Sequence, residues 1–413
     1  MTTDVIVIGA GPAGSTAAAA AARAGLSVLL LDRAMQPAPH LPESWSGETL
    51  PLLRGLGVAD VKGAFGAATG VRFLNATGRF GLELTLARAA GCDLPAVVRL
   101  DRSKFDKILV DNAIRQGASY RPLHTVTEVQ FAADGSGVRL TAATPAGIAE
   151  LSARYVIDAS GKSALVSRAL GTREEPEQQL DPREAVFSHF KPEREHELAV
   201  EGTMTIIGIT HGYVFVIPMG GGRVGVGVVV GDEHARRYGG DIESLFWAEV
   251  DEAAPLQTLL AGADQLLPVL PALNRRFRAT ELAGESYAIA GDAAAFLDPF
   301  FCSGIDIAVQ AGLFAGQAAV DTLAAPGAEE RSAVVAGYQE KAGALIKGAD
   351  AAGEAAFADG AHQQLLIGLA DPHLPTVLPL AALLQSTLRG SAEEPPGSPR
   401  ELIGGVREQF GML

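Results

Sequence analysis

The stretch Asp4-Val-Ile-Val-Ile-Gly9-Ala-Gly11-Pro-Ala-Gly14 decides the fold. Val5 to Ile8 form a short, continuously apolar run, the pattern of a strand buried on both faces of a parallel sheet. An Ala-rich segment from Pro12 to Ala24 reads as a helix that Gly25 is placed to end. Leu26 to Asp32 is a second buried strand, so the chain opens with a strand–helix–strand unit of about 30 residues. The three glycines fall between strand and helix, where the G-x-G-x-x-G pattern needs them. Gly9 permits the tight turn, Gly11 lets backbone approach a pyrophosphate, and Gly14 allows close helix–strand packing. Amides at the helix start then face phosphate, favoured by the helix dipole. Asp32 ends the second strand with a carboxylate that accepts from ribose hydroxyls and disfavours a 2′-phosphate. The unit implies a bound dinucleotide, FAD or NAD rather than NADP, with Arg33 beside Asp32 as a further contact.

Working outward, Leu100 to Gly117 reads as an amphipathic helix, and Tyr155-Val-Ile-Asp158 as a buried strand that breaks at Ser160-Gly161. From Glu184 to Val230 strand-like runs follow one another, with Gly220-Gly221-Gly222 marking a hairpin. Val224, Val226 and Val228 alternate with glycine, which predicts an antiparallel sheet with one face covered. Helix is expected over Ile242 to Ala261, a strand over Tyr287 to Ala290, and a long apolar helix over Ser303 to Leu323. After Pro326 the chain is Ala-rich and helical, and Arg389 to Pro399 reads as an exposed linker.

Three further motifs narrow the dinucleotide. They are Arg102-Ser-Lys-Phe105-Asp106, then Asp158-Ala-Ser-Gly161-Lys-Ser163 with Arg168, then Gly291-Asp292-Ala-Ala-Ala-Phe-Leu-Asp298-Pro299-Phe-Phe-Cys302-Ser303-Gly304-Ile305. Together with the opening loop they resemble, in the same order, the signatures of the FAD-dependent family of aromatic hydroxylases, geranylgeranyl-type reductases and flavin-dependent halogenases. The resemblance spans residues 9 to 304. It implies FAD as cofactor, with Arg102 near its phosphates or flavin edge and Asp158 and Gly161 at a turn close to it. Asp292 accepts from a ribityl hydroxyl, Pro299 extends the chain, and Ser303, Gly304 and Ile305 begin a helix whose amides face the flavin. A helix start there stabilises the negative charge of reduced flavin.

Within that family two segments resemble the halogenases: Asp298 to Ile305, and Gly47-Glu48-Thr49-Leu50-Pro51. Two others depart from them. Tyr213-Val-Phe215-Val-Ile217-Pro218 keeps the frame of the halogenase W-x-W-x-I-P element without its tryptophans. Phe65 to Phe73 aligns with the element that carries the relay lysine, and Ala68 stands in the lysine's place, with Lys62 six residues earlier. Without that ammonium a hypohalite would diffuse and react unselectively. The leading expectation is therefore a monooxygenase that hydroxylates an aromatic substrate, free or tethered to a carrier or protein, through a flavin hydroperoxide. Flavin-dependent halogenation, a geranylgeranyl-reductase-like reduction or dehydrogenation, and a non-catalytic FAD-binding scaffold stay open. Glu48, Tyr213, Phe215, His189 and His211 are the residues proposed to act on substrate, with Trp45 near the flavin by analogy.

Composition limits the partners. A net charge of −15 excludes the basic footprint that nucleic acid requires. Two cysteines, Cys92 and Cys302, exclude a disulfide framework and show no metal-ligand spacing, which points to a reducing cytoplasm. The first residues carry no signal-peptide pattern, and the apolar stretch Ser15 to Leu31 is broken by Arg23 and Gly25, so no membrane is expected. No second nucleotide fold is legible, so electrons come from a separate flavin reductase or a visiting nicotinamide. The expected class is α/β: a Rossmann-like FAD-binding domain with a parallel sheet (1–65, 96–171 and 285–330), an antiparallel substrate domain (66–95 and 172–284) and a helical C-terminal region (331–413).

Overall fold

The computed structural model describes residues 3–35, 40, 43–45, 49–58, 61, 64–67, 70–78, 81–85, 98–132, 135, 137–175, 183–272, 276–296 and 304–357. Val5, Ile6 and Val7 are fully buried, as a strand sandwiched between helical layers requires. This first strand, Thr3–Ile8, lies between Gly147–Asp158 and Val28–Leu31, parallel to both. Tyr287–Ile289 extends the parallel array on one side and Ser119–Arg121 on the other. Val138–Thr144 and Thr125–Phe131 run antiparallel off the first half of the long strand Gly147–Asp158.

Small residues let the helices close on this sheet. The alanine-rich helix Pro12–Arg23 packs against Gly304–Ala324, which in turn packs against Ala328–Phe357. By length and composition Gly304–Ala324 would also pass for a membrane-crossing segment. Here, however, Ile305, Ala308, Val309, Ala311, Ala315 and Ala319 are buried against neighbours. The last helix is tied down by polar contacts: Tyr338 Oη donates to the Ile289 carbonyl at 2.7 Å, and Gln339 Oε1 accepts from the Leu282 amide at 2.7 Å. The expected linker at 389–399 lies outside the described residues.

The second sheet is built from Arg183–Lys191, Val224–Gly231, Gly212–Pro218, Thr203–Ile209, Gly70–Asn75 and Gly81–Thr85 in that spatial order, with Asp264–Gln265 and Leu270–Pro271 at its edge. It is antiparallel as expected except at one seam, where Thr203–Ile209 runs parallel to Gly70–Asn75. That pairing joins segments more than a hundred residues apart, and local alternation carries no sign of it.

Alternation does decide the faces. Val224, Val226, Val228 and Val230 are fully buried beneath helices, in one cluster with Val186, Phe190, Val214, Val216, Leu245, Phe246 and Val250. The expected helix over 242–261 is two helices, Ile242–Glu252 and Ala254–Leu260, with Ala253 extended between them. Pro255 explains the break, because its ring disfavours helical geometry at the residue before it and supplies no amide to continue the ladder. Phe246 fills the centre of this layer, stacked on Phe190 at 5.9 Å and edge-on to Trp247 at 5.3 Å. Phe246→Ala is expected to lower the free energy of unfolding by about 3–5 kcal/mol, read from a denaturant titration.

Candidate functional site

Three neighbouring parallel strands end on the same edge of the first sheet, and each runs into a glycine turn. Thr3–Ile8 leads to Gly9, Gly147–Asp158 leads to Gly161, and Tyr287–Ile289 leads to Gly291. Ligands of open α/β sheets bind beyond this carboxyl edge. Gly9 has φ +99°, and a Cβ there would sit 2.2 Å from the Ala159 carbonyl oxygen. A Cβ at Gly14 would sit 1.8 Å from the Gly9 oxygen, so both glycines are dictated by close packing of the turn. Gly11 differs, because a Cβ there meets nothing within 4 Å. It opens the helix Pro12–Arg23, whose first turn has no side-chain cap and no acidic residue. The space over Gly11 and the uncapped amides fit a pyrophosphate. Asp32 braces the loop, with Oδ2 accepting from the Ala10 amide and Oδ1 from the Ala34 amide, both at 2.8 Å. Arg33 beside it is exposed.

The other two turns supply charge. Both Asp158 oxygens accept from backbone amides, Oδ1 from Ser160 at 3.0 Å and Oδ2 from Val166 at 2.7 Å. Asp158 thus shapes the turn around Gly161. Asp292 lies in the turn Gly291–Ala293, and burial raises its pKa against the opposing pull of Lys162 and Arg102. Arg102 forms a two-pronged pair with Asp106, Nε to Oδ1 and Nη2 to Oδ2, both 3.0 Å, and its Nη1 donates to Glu43. Burial opposes the guanidinium's charge, but Asp106 and Glu43 outweigh it and hold its pKa above the ordinary arginine value. Burial raises Glu43, with Arg102 opposing, and pushes His40 down to about 4. Arg102 enters this network because Asp101 caps its helix, accepting from the Lys104 amide at 3.3 Å.

Across from these turns stands the second face of the second sheet, itself mostly buried: Phe73, Phe187, His189, Ile206 and Ile217 are enclosed, with Tyr213 and Phe215 half-buried. By register, Phe187, His189, Tyr213, Phe215, Ile217, Ile206 and Phe73 share the face opposite the helix-covered valines. The glycines between the valines project here, and the Phe215 ring lies across one of them: a Cβ at Gly227 would fall 2.0 Å from its Cζ. His189 packs on Phe187 at 5.7 Å and bonds to the His40 backbone, which brings this face against the first sheet's side of the molecule. Its Nε2 is buried with no partner among the described residues, and burial lowers its pKa.

The structure thus brings His189, Tyr213 and Phe215 onto one face and separates His211 from them. His211, at the tip of the hairpin between Thr203–Ile209 and Gly212–Pro218, stacks on His234 at 3.9 Å. His234 bonds Glu249 at 2.6 Å on the helix-covered side, so His211 belongs to a structural cluster. Glu48, Ala68, Lys62, Pro299, Cys302 and Ser303 lie outside the described residues. Gly304 and Ile305 begin the apolar helix, and the next residue, Asp306, was missed in the sequence. Its Oδ1 accepts from Trp45 Nε1 at 2.7 Å, Thr49 Oγ1 at 2.7 Å and the Thr49 amide at 3.2 Å, all buried. A lone carboxylate in the first turn of an otherwise apolar helix was the signal. Glu43 and Lys162 were also missed, since only the tertiary fold gives them partners.

Gly11 separates folding from binding. Gly11→Val should keep its thermal midpoint within a few degrees of the parent, because the added side chain has open space. It should lose FAD affinity by about tenfold or more, equivalent to ~1.4 kcal/mol, in a flavin fluorescence titration.

Comparison with known proteins agrees with this geometry. A sequence profile for the family described as "FAD binding domain" matches residues 2–334. The 1H-pyrrole-2-carbonyl-(peptidyl-carrier protein) chlorinase of Pseudomonas fluorescens is 27% identical over 350 residues, covering 76% of this chain and 74% of its own length. The tryptophan 2-halogenase of Chondromyces crocatus is 26% identical over 329 residues, of which the match takes in 78% of this chain but only 62% of that enzyme. Among solved structures, a flavoprotein/dehydrogenase from Cytophaga hutchinsonii superposes with a TM-score of 0.77 at 23% identity, each chain fully covered, which shows the shared fold. The chain belongs to the FAD-binding-domain family and is an FAD-dependent oxidoreductase related to the flavin-dependent halogenases.

Proposed function

We propose that the chain is a monooxygenase that hydroxylates an aromatic substrate, free or tethered to a carrier or another protein. The observation that carries this reading is the second face of that sheet, where aromatic and aliphatic side chains surround one imidazole whose buried Nε2 has no partner among the described residues. Such a face receives a planar ring by apolar contact, and the His189 Nε2 pairs with a ring hydroxyl or amine. Bound FAD, once reduced, supplies the electrons that activate dioxygen. Phe187, Phe215 and Ile217 hold the ring and exclude water, while neutral His189 takes a proton at Nε2 as oxygen is added. Electrons reach the flavin from a separate flavin reductase.

Halogenation is the second reading, favoured by the names of the relatives, one of which acts on a pyrrole ring tethered to a carrier protein. Phe215 and Tyr213 in place of tryptophans, and Ala68 in place of the relay lysine, support oxygen transfer instead. The test supplies purified protein with FAD, a flavin reductase, NADH, oxygen and a panel of phenols, indoles and carrier-linked pyrroles, with and without chloride or bromide. Products gaining one oxygen are the expected result. A halogen gained in its place establishes the second reading, and substrate lost without gain of either atom points to dehydrogenation.

His189 gives that assay a second readout. Because burial holds its pKa below the ordinary imidazole value of 6.5, the imidazole is already neutral at pH 7. The rate should stay flat from neutral pH down to that range and fall only below it, as protonation removes the base. His189→Gln should lower kcat by about 10²–10⁴-fold and abolish the acidic limb.

A further inference from the structure

Among the described residues, every lysine except Lys162 is exposed. Lys162 sits in the turn Gly161–Ser163, directly after the strand Gly147–Asp158. That turn packs against the turn Gly291–Ala293, which carries Asp292. Both turns close on the opening loop. Ala159 abuts Gly9 and Gly14, and a Cβ at Gly291 would come within 2.9 Å of the Ala13 Cβ. Lys162 therefore rises from the ring of turns around the dinucleotide loop. Its Nζ lies 4.7 Å from the centre of the Phe296 ring and donates to the Ala272 carbonyl, at the edge of the second sheet.

Three carboxylates act on this ammonium from separate elements. Asp292 faces it from the neighbouring turn, Glu43 from the strand Glu43–Trp45, and Glu184 from the strand Arg183–Lys191. Asp106 is already engaged by Arg102 through both oxygens. Glu43 and Asp292 are then left to share Arg102 and Lys162, and FAD brings a further doubly anionic pyrophosphate to the same edge. Asp292 is exposed and Glu43 and Lys162 are partly so, so solvent screens this repulsion in part, and a cofactor that covers the turns strengthens it. A cation is needed there.

We propose that Lys162 is a cofactor-site residue, an ammonium that neutralises the Asp292–Glu43 pair and so lets the anionic dinucleotide enter. It acts by positioning charge and takes no part in bond making. The assignment deepens the FAD reading of the site and extends to a residue that the cofactor motifs leave unassigned. Because burial opposes its charge when the site is empty, the amine loses its proton more readily than an ordinary lysine. An arriving anion favours the protonated form. FAD binding should therefore be accompanied by proton uptake at alkaline pH below the ordinary lysine range, and affinity should weaken as pH rises through the lysine's own titration.

The experiment compares the full-length parent with Lys162→Met and Lys162→Arg. FAD binding is titrated by flavin fluorescence between neutral and alkaline pH, and proton uptake by calorimetry in two buffers of different ionisation enthalpy. Lys162→Met should bind FAD about tenfold or more weakly, a loss of ~1.4 kcal/mol, with the alkaline pH dependence gone. Lys162→Arg should retain affinity with a flattened pH profile, because guanidinium stays protonated. If Lys162→Met melts at a lower temperature yet binds FAD as the parent does at every pH, the lysine only cements Phe296 and Ala272, and the proposal is overturned. A parent protein that takes up no FAD would instead overturn the cofactor assignment itself.

Discussion

The structure depends on close approach at one edge of a parallel sheet. Three strands end side by side, and the turns that follow them must crowd together without side chains in the way. The Gly9 turn lies against Ala159, the Gly291 turn against Ala13, and the helix after Gly11 starts in the space between. The same crowding leaves helix amides uncapped and brings Asp292, Arg102 and Lys162 within electrostatic reach of one another. A dinucleotide site follows from backbone geometry before any specific side chain is considered. The side chains then set its charge.

The second sheet follows a different rule. Its central strand Val224–Gly231 alternates valine with glycine, and the two faces take different work. Valines lock under helices and give the sheet a rigid back. Glycine at Gly227 leaves room for the Phe215 ring, and on the same face His189 keeps a nitrogen without a partner among the described residues. A buried imidazole nitrogen without a partner costs free energy, which substrate recovers by bonding to it.

Much of this was legible in the sequence. Val5 to Ile8 read as a strand buried on both faces because no polar residue interrupts it, and the loop after it has only a few workable geometries. The helix–helix layer was legible from its alanines and the covered face of the second sheet from its valines. Other features depend on what the chain meets in space. His189 and His211 look alike in sequence, but strand parity sends one to the face opposite the covered valines and the hairpin tip carries the other to His234. The parallel pairing of Thr203–Ile209 with Gly70–Asn75 has no local signal. Asp158 was legible as the end of a strand that turns close to the cofactor, but that the backbone amides of the turn would engage both its oxygens was not.

Asp306 has one further consequence. Trp45 and Thr49, which flank residues 46–48 in the chain, donate to the same oxygen in the first turn of the helix Gly304–Ala324. A shift of that helix start must drag both of them, since a buried indole N–H and a buried hydroxyl have nowhere else to turn. Trp45 is one of only two tryptophans in the chain and is fully enclosed. Its ultraviolet emission is therefore a native gauge of how that helix is seated, readable without a label.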